Sequence, residues 1–156
     1  MIDIIISREG VEDDEPPSSG WIEKVVLETL RAARFEDNAE VSVLLTGDER
    51  IHQLNQDYRG KDKPTDVLSF AFEDDQSVKL PPEVPRMLGD VVLSLETIAR
   101  QAEQNKVTVP RETAWALGHG VLHLLGYDHQ TDEEEEEMRA LENEMLQTLG
   151  EEAMGW

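Results

Sequence analysis

The stretch His119 to His129, HGVLHLLGYDH, restricts the fold of this chain more than any other, because it holds three of the four histidines. His119 and His123 stand four apart in an apolar segment, VPRETAWALGHGVLHLLG, that reads as a helix from Arg111 to Leu125. Residues four apart on a helix project from one face. Gly126 follows, the residue type that commonly closes a helix in the left-handed conformation. A chain stopped there can turn back and carry His129 towards the first two rings.

Three imidazoles converging from a helix and its following turn are a ligand set for one metal ion. They leave the remaining position of a tetrahedral zinc open, as in catalytic rather than structural sites. The all-nitrogen set also suits nickel, copper or cobalt, and zinc is preferred on chemistry and availability. The competing reading, histidines that cap polar edges of a core, suits one histidine better than three. Glycine inside a helix costs about 1 kcal/mol relative to alanine. Gly120 therefore points to close approach beside His119, by another backbone segment, by a bulky substrate or through tight helix packing. Trp115, one turn before His119, either walls a pocket or belongs to the core. His119, His123, Gly126 and His129 match the zinc-peptidase spacing H-E-x-x-H-x-x-G-x-x-H, but Gly120 stands where the general-base Glu belongs. Without that carboxylate, peptide hydrolysis is not expected.

The rest of the chain supplies the scaffold. MIDIIIS, EVSVLLT (Glu40 to Thr46), VLSFAF (Val67 to Phe72) and LGDVVLSL (Leu88 to Leu95) read as strands. Helical spacing marks Trp21 to Ala33, with Ser18 or Ser19 as cap, Asp48 to Tyr58, and Ser94 or Leu95 to about Asn105. A last helix follows Thr131. EDDQSVKLPPEVPR, between the third and fourth strands, reads as a long exposed connection because of its three prolines. Early strands and later helices predict a single α+β domain over residues 1–156, a small mixed four-stranded sheet covered by about five helices.

Charge narrows the partners. Lys and Arg total 14 against 35 Asp and Glu, a formal net charge of −21, so a polyanion can be held only through a local basic patch. YRGKDKPTDVLSF provides one: Arg59, Lys61 and Lys63 lie within five residues. An arginine fork suits phosphate oxygens, although the same charges could merely balance Asp57, Asp62 and Asp66 in a solvated loop. Asp66 is better placed to hold the loop by backbone hydrogen bonds than to do chemistry. Asp128 could orient a histidine or form the turn before His129. The run Glu133 to Glu137 is a solvated face that also favours a helix start. With no cysteine there are no disulfides or thiolate ligands, which fits a reducing compartment. The N-terminus lacks a signal-peptide pattern and no run approaches a membrane span, so a cytoplasmic protein without membrane contact is expected.

HGVLHLLGYDH, YRGKDKPTDVLSF and LGDVVLSLETI together resemble the YbeY-type endoribonucleases, bacterial rRNA maturation factors, in the order the family has them and over nearly the whole chain. The resemblance implies an α+β fold, one Zn2+ ion held by His119, His123 and His129, and catalytic roles for Arg59 and His119. It implies single-strand-specific RNA cleavage in rRNA processing, including the 16S rRNA 3′ end, and in ribosome quality control. Single-stranded RNA and ribosomal partners come with it. Two other readings stay open: a ribosome-assembly factor whose metal is structural, and a metallohydrolase acting on another phosphoester or an amide.

Overall fold

Alternation of side chains along β2 (Ala39–Thr46) decides how the layers form, because it buries Ala39, Val41, Val43 and Leu45 on one face of the sheet. The computed structural model describes residues 1–72, 81, 83–153 and 156. β1 (Ile2–Arg8) and β4 (Arg86–Ser94) run parallel to β2 on either side, and β3 (Val67–Ala71) pairs antiparallel with β4. The order is β1-β2-β4-β3, a mixed four-stranded sheet in one α+β domain, as the sequence predicts.

Five helices cover it. α1 (Ser19–Ala32), α4 (Val109–Leu124) and α5 (Asp132–Leu149) bury Ile22, Val26, Leu117, Val121 and Met145 with Val43, Leu45, Val91 and Leu93 in the main core. Burying one such side chain stabilises the fold by roughly 1.5–3 kcal/mol. α3 (Leu95–Asn105) adds Ile98 to the same core. α2 (Asp48–Arg59) lies on the opposite face, where Ile51 meets Leu68 and Val92, with Leu44 and Phe70 beside them. Period-two alternation in β3 thus sends Leu68 and Phe70 to α2 and leaves Val67 to the main core.

Most boundaries follow the sequence reading, and two move for visible reasons. α4 starts at Val109, not Arg111, because Thr108 accepts a hydrogen bond from the Arg111 amide at 3.2 Å and Pro110 sits in the first turn. β4 starts at Arg86, not Leu88: the Arg86 amide donates to the Asn38 carbonyl at 2.8 Å. Ser18, Ser94 and Thr131 cap α1, α3 and α5. The 3-10 turn Gly150–Ala153 has no counterpart in the sequence reading. Of the proposed long connection, residues 73–80 and 82 lie outside the described residues.

α2 is fixed at its start. Asp48 accepts from the Ser94 hydroxyl at 2.8 Å and the Thr97 hydroxyl at 2.5 Å, and pairs with Arg100 at 2.7 Å. Burial alone would raise this carboxyl, but the donors from Thr97, Ser94 and Arg100 outweigh it and hold Asp48 below its ordinary value. The first turn of α2 is thereby tied to α3, and its last turn delivers Arg59.

Candidate metal centre

α4 reaches the sheet through Gly120. A Cβ there would meet Val91 Cγ1 at 2.8 Å, Val67 Cγ2 at 3.0 Å and Ser69 Oγ at 3.1 Å, and the Ser69 hydroxyl donates to the Gly120 carbonyl at 2.9 Å. The close approach expected at Gly120 is therefore packing of helix on sheet, not room for a substrate. A glutamate at this position would have to enter β3 and β4, which removes the peptidase analogy on steric as well as chemical grounds.

The end of α4 then does what its sequence requires. The Gly126 amide donates to the His123 carbonyl at 3.0 Å and the Tyr127 amide to the Leu122 carbonyl at 3.1 Å. This pair of bonds is the Schellman closure, with Gly126 at φ +98°. Asp128 Oδ1 accepts from the His129 amide at 2.8 Å and lies 3.8 Å from His129 Nδ1, so the closer contact is the turn-forming one.

The turn brings His129 back. One nitrogen from each of His119, His123 and His129 lies within 4.8 Å of the others, and the Nε2 atoms of His119 and His123 are 3.1 Å apart. Nitrogen ligands sit about 2.0–2.1 Å from zinc, so a tetrahedral pair is roughly 3.3–3.4 Å apart, and the His119–His123 pair at 3.1 Å falls just inside that spacing. The fit is chemical too. Burial, then the charges of His119 and His129, push His123 below the ordinary histidine value, which keeps its lone pair free at neutral pH. The buried Nδ1 of His119 has no hydrogen-bond partner, and Trp115 stacks on the ring at 4.9 Å and 23°. His52, the fourth histidine, pairs with Asp62 at 2.6 Å on the loop after α2.

The three histidines open on a cleft of about 770 Å³ that Arg59, Trp115, Ser69 and Phe70 also line. Gly60, left-handed at φ +68°, ends α2 just after Arg59, and the loop beyond is held from within. Asn55 donates to the Lys63 carbonyl at 2.8 Å, and Asp66 accepts from the Val67 amide at 2.9 Å and the Thr65 hydroxyl at 3.2 Å. Asp66 is the loop anchor expected of it. Lys61 and Lys63 are exposed and are not among the lining residues. Two features escaped the sequence reading. Tyr58 and Phe70 meet edge to face at 5.3 Å on the cleft wall. Glu142, buried on α5, places Oε2 3.6 Å from His119 Nδ1. A carboxylate interrupting the apolar spacing of Met138, Met145 and Leu149 was the available signal.

An α+β sheet carrying a solvent-open cluster of three imidazoles with an arginine in the same cleft has the form of a metallohydrolase. The family model described as Endoribonuclease YbeY matches residues 3–150, and the chain belongs to that family. It is 47% identical over 130 residues to the Endoribonuclease YbeY of Roseiflexus castenholzii, covering 83% of this chain and 82% of that one. It is 41% identical over 153 residues to that of Bacillus cereus, covering 96% of each. The solution structure of TM1509 from Thermotoga maritima has a similar fold, with TM-score 0.58 and 26% identity, covering 93% of this chain and 90% of that one. Among the described residues no helix is long and apolar enough to cross a membrane.

Proposed function

We propose that this protein is a zinc-dependent endoribonuclease that cuts single-stranded RNA during rRNA processing, including maturation of the 16S rRNA 3′ end, and in ribosome quality control. The observation that carries the proposal is the convergence of His119, His123 and His129 in a cleft shared with Arg59. Membership of the YbeY family supports the RNA substrate. Ribosomal partners and a cytoplasmic setting follow from an rRNA substrate.

His119, His123 and His129 would hold one Zn2+ ion. When bound, zinc would supply Lewis acidity towards a phosphodiester oxygen and would lower the pKa of water to about 7. The protein's own groups do the rest. Arg59 meets the phosphoryl oxygens with a planar fork of donors and neutralises charge as the phosphorus–oxygen bond breaks. Asn55 and Asp66 hold the loop that follows Arg59. His119 is kept in place by the Trp115 face. Tyr58 and Phe70 offer aromatic surface to unstacked bases, which a paired strand cannot present.

Purified protein with zinc should cleave a single-stranded RNA and spare a duplex of the same sequence. His123→Ala, with its fold verified by circular dichroism, should retain zinc only near background and lose cleavage. A folded His123→Ala protein that keeps one equivalent of zinc would sink the ligand assignment.

A further inference from the structure

Glu142 stands out as a charge where the fold should have none. Its side chain is 8% exposed, on the face of α5 that carries Met138 and Met145, both fully buried. A carboxylate placed there is costly unless it is paired. Its Oε2 lies 3.6 Å from His119 Nδ1. The same Nδ1 is a buried nitrogen without a hydrogen-bond partner, so an orphaned ring nitrogen and a buried carboxylate face each other. The opposite nitrogen of that ring, Nε2, is the one turned to His123 Nε2 at 3.1 Å.

The approach of α5 to α4 at this point is specified by a neighbouring residue. Gly118 precedes His119, and a Cβ there would meet Met145 Cε at 2.5 Å and Thr29 Oγ1 at 3.2 Å. The missing side chain lets Met145, and with it Glu142 three residues earlier, settle against α4.

We propose that Glu142 is the positioning carboxylate of the metal centre, accepting the Nδ1–H of His119 so that Nε2 presents its lone pair to the ion. The inference rests on the reading of the three histidines as a metal site. Closing the contact from 3.6 Å to hydrogen-bond length takes a shift of less than about 1 Å. The bond fixes the tautomer and the ring orientation, effects whose loss typically weakens metal binding about 10–100-fold.

The test is zinc affinity by chelator competition on the full chain, with His119 nitrogen resonances and metal-free melting temperature as companion readouts. Glu142→Leu should bind zinc about 10–100-fold more weakly, while its metal-free melting temperature equals or exceeds that of the parent because a buried charge is gone. Glu142→Gln keeps an acceptor oxygen and should recover part of the affinity. A Glu142→Leu protein that binds zinc within twofold of the parent overturns the proposal, as does a fall in melting temperature with unchanged affinity. If the leucine variant does not fold, Glu142→Gln decides alone: parental affinity with an unmoved His119 Nδ1 resonance overturns it. A parent that binds no zinc overturns both this proposal and the metal reading. A parent that binds tightly beside an equally tight Glu142→Leu overturns this proposal alone.

Discussion

Arg59 is exposed, and an exposed arginine ordinarily contributes little to stability. Its setting gives it a different value. It closes α2 against a left-handed Gly60, ahead of a loop pinned by Asn55 and Asp66, and lines the cleft of the three histidines. A preorganised donor aimed at transition-state charge is worth about a hundredfold to a thousandfold in rate. Arg59→Ala should lose RNA cleavage on that scale with its zinc content and melting temperature intact, and Arg59→Lys should recover only part, since a point charge lacks the two-pronged geometry. Single-turnover cleavage at saturating enzyme reads the chemical step; an alanine variant within a few-fold of the parent would return Arg59 to the status of a loop charge.

The closure of α4 is the element that returns His129 to the other two histidines. Gly126 takes φ +98°, where a side chain is strained whatever the space around it. Left-handed backbone costs an L-residue roughly 1–2 kcal/mol, so Gly126→Ala should lower the metal-free unfolding free energy by about that amount in urea titration. Unchanged stability would mean the turn relaxes without cost. This closure was readable because its parts are local: two histidines at helical spacing, a glycine, and a third histidine within three residues. The helices were readable for the same reason, since capping residues and apolar periodicity act within one element. Glu142 was not, because its partner lies on another helix and the meeting is set by Gly118 and Met145 across the core. Gly120 was half readable: its sequence announced a close approach, but only the fold shows β3 and β4 as the neighbours.

For the whole molecule, charge and topology are the global properties. Composition and element order pointed to a mixed sheet, yet the insertion of β4 between β2 and β3 depends on pairing between distant strands, which no local pattern encodes. The charge of −21 was read directly, and it sets a limit on binding to free RNA. Arg59, which lines the cleft, stands within five residues of Lys61 and Lys63 in the sequence. Each phosphate neutralised on a single strand contributes about −0.7 to the slope of log affinity against log salt. Fluorescence anisotropy with a short single-stranded RNA should therefore give a slope near −2 or shallower, reduced further by Lys61→Ala; a slope of −5 would reveal a basic surface that is not apparent here. The closeness in sequence of the three histidines has one more effect. Because they span eleven residues, the chain need close only a short loop to gather them, and loop closure costs little at that length. The denatured chain can therefore chelate the same ion, and ligands that bind both states stabilise the native one by less than their affinity suggests. A metal ion at this centre would act as a tenant of the fold rather than its keystone.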